Sequence, residues 1–499
     1  MDIIGNLAHG FAVALSFQNL LFALIGALIG TAIGVLPGIG PVATISLLLP
    51  ITFGQPATTA IIMLAGIYYG AQYGGSTTAI LLNLPGEISS VVTTLEGYKM
   101  ARNGRAGAAL ATSALASFFA GTVATIVVAG SGPLLTSVAL SFGPADYFSL
   151  MLLGLIISAV LAQGSVIKSI GMVVLGVALG LVGTDVQTGQ QRFTFGVPEL
   201  SDGISFVALA MGMFGIAEII LNLERPEARS VLKTKVGSLW LTKEEWKRAT
   251  PSVLRGTLVG TVLGILPGGG AALSSFGSYM MERKVSKNRH LFGTGAIEGV
   301  AGPEAANNAA AQTSFIPLLT LGIPANAVMA LMVGALIIQG IQPGPRMVEA
   351  QPDLFWGLIA SMWIGNVMLL VINLPMIGMW VKLLQVPYKF LYPAILVFCS
   401  IGAYSVNNNV FDVYSTVLFA VFGYMCNKLK LEPAPLLIGF VLGPMMEEHL
   451  RRAMLLSRGD VMVFLERPIS ASMLAIGALA MAAMLLPNLR KGKEAALTG

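Results

Sequence analysis

Apolar residues run along this chain in blocks of roughly 20, with neither the alternation of a half-buried strand nor a heptad order. A block of that length forms a helix able to cross the ~30 Å hydrocarbon layer of a bilayer. Blocks at 58–84, 107–130, 146–164, 166–183, 204–223, 300–340, 354–381, 390–406, 410–427, 433–446 and 470–487 predict about 11 crossings. The block at 300–340 is long and interrupted. Two further apolar segments, 20–50 and 253–281, each carry a glycine-proline knot at the centre, LPGIG at 36–40 and LPGGG at 266–270. The pattern predicts an all-α polytopic membrane protein.

The two knots belong to an internal repeat. Residues 26–41, GALIGTAIGVLPGIGP, align without gaps at an offset of 230 with residues 256–271, GTLVGTVLGILPGGGA, and nine of the sixteen positions are identical. Further along, LNLPGE (82–87) answers LGIPAN (321–326), pairing Pro85 with Pro324 at an offset of 239. The nine-residue difference equals the length of the charged stretch Glu282–His290. Two ordered breaks in register point to duplication.

Basic residues orient the halves, because short cytoplasmic loops carry the excess of Lys and Arg. None precedes Lys99, whereas 224–252 holds Arg225, Arg229, Lys233, Lys235, Lys243, Lys247 and Arg248. Arg283, Lys284, Lys287 and Arg289 follow the second knot. Both flanks of 253–281 therefore read as cytoplasmic. Broken at its knot, that segment has two arms of about 14 residues, about 20 Å each, too short to cross. It reads as a re-entrant helical hairpin, and 20–50 reads as its counterpart from the opposite face. Five crossings in the first half then invert the second, an architecture shared by many secondary transporters. The predicted units are a first repeat at 1–223, a basic linker at 224–252, an inverted repeat at 253–446 and a C-terminal part at 447–499. Within the linker, 238–252 reads as an interfacial helix anchored by Trp240 and Trp246. The stretch Glu447–Arg467 fits least well: the count puts it outside, although it holds four arginines.

Composition narrows the class. With 55 % hydrophobic and 11 % charged residues, against roughly 25 % charged in soluble chains, a set of soluble domains is excluded. The net charge of +5 reads as loop bias toward the cytoplasm, not as affinity for nucleic acid. Cys399 and Cys426 lie in apolar stretches and imply no disulfide framework. There is no GxxxxGKS/T phosphate loop, no HExxH and no GxSxG, so nucleotide hydrolysis, zinc and serine-nucleophile chemistry have no motif here. The reading is not an enzyme, and it calls for no cofactor.

Candidate chemistry lies at the breaks. Non-helical backbone at membrane depth is tolerated only inside protein or beside a water-filled cavity. At the knots, Gly38, Gly40, Gly268, Gly269 and Gly270 let a ligand approach the backbone, and the arm that follows presents its helix N-terminus to an anion. A packing kink is the plainer alternative. Around the second pair of breaks stand Ser76, Thr77, Thr78, Asn83, Pro85, Gly86 and Glu87 in one half, and Asn307, Asn308, Pro324 and Asn326 in the other. Hydroxyls and amides there can bind a carboxylate, or can simply pack helix on helix. Glu304, Gln312, Thr313 and Ser314 form the candidate cation-coupling set, with Na+ the one metal in view. Glu304 reads equally as a carboxylate at a helix start just after Pro303. No Lys or Arg lies before Lys99 or between Arg289 and Arg346, so an anion bound at the breaks needs co-transported Na+ or H+ to balance it. A passive anion pore built from the same hairpins is the competing reading.

In GTAIGVLPGIGPVATISLLLP (30–50), YGGSTTAILLNLPGE (73–87), GTDVQTGQQRFTFG (183–196), LTKEEWKRATPSVLRGTLVGTVLGILPGGG (241–270) and GPEAANNAAAQTSFIPLLTLGIP (302–324), the chain resembles the large membrane subunit of the tripartite tricarboxylate transporters. The resemblance covers most of the chain. It departs at Val186, where the family pattern has proline. It implies a secondary carboxylate transporter in the bacterial inner membrane, coupled to a Na+ or H+ gradient. It also implies two partners, a small membrane subunit and a periplasmic solute-binding protein. The particular carboxylate stays open.

Overall fold

In a computed structural model of the chain, glycine and proline stand at several helix starts, as at Gly40–Pro41, Pro56 and Gly143–Pro144. Pro50, Pro251, Pro303 and Pro444 lie inside helices. The structure describes residues 3–36, 40–139, 141–162, 165–185, 187–224, 237–266, 270–383 and 391–485. The chain opens with α1 (Ile3–Ala14), α2 (Phe17–Val35), α3 (Pro41–Thr52) and α4 (Ala57–Leu82). A 3₁₀ turn at Ile88–Ser90 leads into α5 (Val91–Met100), α6 (Ala106–Ala139), α7 (Pro144–Leu161) and α8 (Val166–Gly180). An antiparallel hairpin, β1 (Gly183–Thr184) with β2 (Gln191–Arg192), pairs Gly183 with Arg192. It precedes α9 (Phe206–Ala210) and α10 (Ala217–Glu224), joined by a π turn.

The second half opens with α11 (Lys243–Gly264) and α12 (Gly270–Val285). The interrupted block resolves into α13 (Glu298–Thr313), α14 (Phe315–Leu321) and α15 (Ala327–Ile338). Then come α16 (Met347–Ala350), α17 (Pro352–Asn373), α18 (Ile377–Leu383) and α19 (Leu391–Asn407). The last are α20 (Val410–Lys428), α21 (Ala434–Leu456), α22 (Val463–Glu466) and α23 (Pro468–Leu485).

Six helical stretches among the described residues are long and apolar enough to cross a membrane: 17–35, 88–132, 144–161, 206–224, 352–373 and 410–428. The innermost helices are different. All of α13 is buried, and so is α4 from Thr59 to Leu82. Both carry hydroxyls, amides and small residues that protein, not lipid, must satisfy.

The 230 and 239 offsets reappear as packing register. In the first half a Cβ on Gly26, Gly30 or Gly34 would lie 2.2–2.4 Å from the carbonyl oxygens of Met63, Ile67 and Ala71, so α2 rests directly on the backbone of α4. In the second half Gly256, Gly260 and Gly264 of α11 meet Gly302, Ala306 and Ala310 of α13 at comparable closeness. Each residue of the first set returns 230 or 239 positions later. Small residues that let helix backbones touch are the usual glue between membrane helices. Across the halves, α6 packs on α13 and α17 packs on α4.

Polar contacts at the helix ends include two connected groups. In one, Lys99 donates to the Gly293 carbonyl at 2.6 Å, Arg105 meets Glu245 at 2.5 Å and Arg248 meets Glu298 at 2.7 Å. In the other, Arg467 meets Asp146 at 2.5 Å, Arg451 meets Asp185 at 2.8 Å and Arg192 meets Glu447 at 2.7 Å. Two of the four arginines of 447–467 that fit the charge count poorly, Arg451 and Arg467, are thus tied to acids that the same count puts on that face, while Arg452 pairs with Glu448 on its own helix.

Three features differ from the sequence reading. A capping box between Thr242 and Glu245 starts α11 at Lys243, so one helix runs through the expected 252/253 boundary. The first arms are thus longer than the expected ~14 residues. α2 has 19 and is long and apolar enough to cross. α11 has 22, with Trp246 in its first turns and Trp240 just before it, both exposed. Glu282 is not a loop residue: it is fully buried on α12 and paired with Arg255 at 2.8 Å. An additional helix, α1, packs on α17 ahead of the first predicted segment.

Candidate functional site

The second pair of breaks is built alike in both halves. Asn83 ends α4 in the left-handed region at φ 59°, and Gly322 ends α14 there at φ 74°, 239 residues later. Four residues on, Glu87 (φ −150°) and Asn326 (φ −156°) each cap the next helical segment. The caps differ in chemistry. Asn326 Oδ1 accepts from the Met329 amide at 3.0 Å, whereas at Glu87 the Ser90 hydroxyl accepts from the Glu87 amide at 3.3 Å. Between caps and helix ends sit Pro85 and Gly86 in one half and Pro324 in the other. Gly86 lies so close to Gly34 and Gly75 that a Cβ would fall 2.0 Å from the Gly34 carbonyl oxygen.

These breaks return to the inner helices. Asn326 Nδ2 reaches the Tyr68 hydroxyl of α4 at 3.5 Å and lies against Gly270 at the start of α12. Gly270 itself is left-handed, at φ +53°. Gly40 caps α3 with extended backbone, and a Cβ there would meet no described atom within 4 Å. Gly38, Gly268 and Gly269 lie outside the described residues, as do the knot prolines Pro37 and Pro267.

Glu304 is completely buried on α13. Its Oε2 accepts from Ser76 of α4 at 2.7 Å and from Ser113 of α6 at 3.0 Å, and its Oε1 accepts from Thr93 of α5. Its hydrogen-bond partners among the described residues are all uncharged hydroxyls. The alternative of an interfacial carboxylate at a helix start does not hold, since Glu304 is in the second turn of α13 and enclosed by three helices of the other half. A buried charge needs a partner or a proton. Three hydroxyls and the carboxylate make an all-oxygen cluster of the kind that holds Na+ or a proton equally well.

Asn308, one turn further, donates to Ser117 of α6 at 2.7 Å and to Asn307 Oδ1 at 2.6 Å. Asn307 Nδ2 and Gln312 Oε1 are buried without a partner. Thr77, Thr313 and Ser314 bond carbonyls of their own helices, and Thr78 donates to the Val35 carbonyl at 2.7 Å, holding α4 to the end of α2. A cavity of about 10 Å³, the room of one water, opens between Tyr73, Thr77, Ser113 and Asn373. The structure therefore joins Ser76, Asn307, Asn308 and Glu304 into one polar cluster, and sets Asn326 with Gly270.

Sequence reasoning missed Thr93, Ser113 and Ser117, and also Glu96. Glu96 is fully buried and accepts from Tyr279 at 2.9 Å and from the amides of Gly293, Gly295 and Ala296 at 2.5–2.9 Å. The four-residue spacing of Ser113 and Ser117, which puts both on one helix face, was the available signal.

The sequence pattern of the tripartite tricarboxylate transporter TctA family matches residues 20–438. The chain belongs to that family. TctA-family chains are components of transporters rather than enzymes, so this one is a membrane transport component that works with partner subunits. Among related proteins, an uncharacterized 52.8 kDa protein of the TAR-I ttuC' 3' region of Agrobacterium vitis is 60 % identical over 494 residues, 99 % of this chain and 98 % of its own. An uncharacterized protein of the TAR-II ttuC' 3' region of the same organism is 61 % identical over 235 residues, 47 % of this chain and 97 % of its own. No solved structure matches.

Proposed function

We propose that the chain is the translocating subunit of a secondary transporter in the bacterial inner membrane. It imports di- or tricarboxylates handed over by a periplasmic solute-binding protein, works with a small membrane subunit, and is driven by a Na+ or H+ gradient. The observation that carries this reading is Glu304: a fully buried carboxylate with no ion pair among the described residues, enclosed by hydroxyls of the other half. An anionic substrate cannot join such a site unless a cation neutralises the carboxylate first. That requirement makes substrate binding depend on the ion, which is coupling.

The recurring glycine register and the matched breaks support two repeats. Alternating access would then be rocking of the two halves around the midplane site. In this reading Gly40 and Gly270 present backbone to the carboxylates, and Asn307, Asn308 and Asn326 add side-chain donors.

Proteoliposomes holding the chain with both partners test the reading under imposed Na+ or H+ gradients. Uptake is expected to collapse with one of the two gradients and to be abolished in Glu304→Gln. Undiminished accumulation with both gradients dissipated would overturn coupling. Uptake that neither saturates nor needs the binding protein would favour the pore.

A further inference from the structure

We propose that Glu87 is a second monovalent-cation site, taking one H+ or Na+ per transport cycle alongside the ion at Glu304. The inference rests on the cation-coupled reading above and adds a ligand set to it.

The comparison between the halves is the starting point. Glu87 and Asn326 occupy the same place, each capping the segment after its break with extended backbone. Neutral asparagine meets the capping need in one half. The charge on Glu87 is therefore extra to what the fold requires at that position, and burying part of a carboxylate costs stability unless something neutralises it.

The surroundings offer oxygen and no positive charge. Glu87 Oε1 accepts from Ser89, whose hydroxyl also lies 2.7 Å from Gln72 Oε1 on α4. Among the described residues, the side chains bonded to Glu87 are the hydroxyls of Ser89 and Ser90, and no ion pair to it is found. The side chain lies against Gly75, where a Cβ would fall 2.8 Å from Glu87 Cγ. The next residue, Ser76, donates to Glu304. The two carboxylates thus flank one turn of α4. α12 packs against Ile88–Ser90, and its Ser275 and Ser278 are fully buried with hydroxyls that have no partner.

Proton counting bears on the neighbouring ion at Glu304. Ser76 has one hydroxyl hydrogen and two acceptors, the Gln72 carbonyl at 3.0 Å and Glu304 at 2.7 Å. A proton on Glu304 gives each contact its own hydrogen; a cation between the oxygens removes the need for one. With Glu87 and Glu304 both ionised, an arriving carboxylate would face two negative charges in a low-dielectric pocket. Two monovalent cations cancel them.

The test uses the purified complex of chain and small membrane subunit, with equilibrium binding of radioactive Na+ and, in parallel, infrared detection of protonated carboxyls through an acid titration. Wild type is expected to bind two Na+ per chain or to show two titrating buried carboxyls, and Glu87→Gln to lose one of the two. Glu87→Asn copies the cap at Asn326, so it keeps the fold and loses the same single ion. Wild-type ion count and carboxyl bands in both variants would overturn the site while leaving coupling at Glu304 intact. Uptake by wild-type proteoliposomes that needs neither gradient would overturn both.

Discussion

The two inner helices, α4 and α13, are packed by the same rule and carry different chemistry. Each takes a glycine face from its own half, at the same register; α4, and α14 just after α13, end in a left-handed residue before a proline-containing break. Along α4 the buried polar groups are Gln72, tyrosines and hydroxyls, with Tyr73 donating to Asn366 of α17 at 2.8 Å. Along α13 they are Glu304, Asn307, Asn308 and Gln312. The backbone of a duplicated fold can stay alike while its side chains divide the work. Close backbone contact fixes the shape, and the remaining positions are free to diverge.

The largest effects are expected where the halves are alike. Gly30→Val and Gly260→Val would each drive a side chain into a carbonyl 2.2–2.3 Å from its Cβ. Overpacking of this kind costs about 1–3 kcal/mol or more, so little monodisperse protein should be recovered from either. Gly171→Val, where a Cβ meets nothing within 4 Å, should purify as wild type does. If only one of the first two fails, the halves do not share their packing rule.

Next come the contacts found in one half alone. Glu96 of α5 holds the loop before α13 through three amides and Tyr279, while Ala335, 239 positions on, makes no such clamp. Glu96→Gln turns one acceptor oxygen into a donor facing amide hydrogens, at about 1–3 kcal/mol. The melting temperature should fall by several degrees, read by thermal unfolding in detergent. An unchanged value would mean that the clamp does not join the halves.

The two knots offer a finer contrast. Gly270→Ala forces a left-handed alanine, about 1–2 kcal/mol, against Asn326, and should lower stability and uptake together. Gly40→Ala adds a methyl in open space on extended backbone, so the fold should be indifferent. A roughly tenfold loss of uptake there, about 1.4 kcal/mol, would mark a ligand against the backbone. Wild-type uptake in Gly40→Ala would reduce that knot to a packing kink.

The smallest effect is at the β1–β2 hairpin. The Gln187 amide at 2.9 Å, with Arg451 beside it, holds the Asp185 carboxyl down to about 2 from its usual 3.8. A depressed pKa contributes stability that is complete above about pH 4 and is lost as pH falls toward 2. Asp185→Asn should flatten the acid limb of the melting curve over that window and leave neutral pH nearly untouched. An acid limb identical to wild type would show that the hairpin's ion pairs are ornamental.

Much of this scaffold was legible because glycine, proline and apolar blocks act locally. The offsets of 230 and 239, read from letters alone, return as the register of α2 on α4 and of α11 on α13. The pairing of Pro85 with Pro324 returns as matched left-handed ends and matched caps. The cluster around Glu304 was half visible. Its own position drew attention as an acid in an apolar block, but Thr93, Ser76 and Ser113 come from residues 191–228 positions away, and no periodicity encodes such a meeting. Helix starts were blurred for a different reason: the Thr242 capping box extends α11 through polar residues that hydropathy assigns to a surface.

The polarity of α4 also bears on how the chain enters the membrane. At 26 residues α4 is longer than most spanning helices, yet it is not among the six apolar enough to cross by composition. A segment leaving the insertion machinery partitions into lipid according to its own residues, and α4 alone has little drive to remain there. It must be received by α2, whose glycines accept its backbone, and then enclosed by α17, which is made some 270 residues later. Nascent chains cut after α4 should therefore stay extractable from the bilayer by alkali. Chains carried through α17 should not.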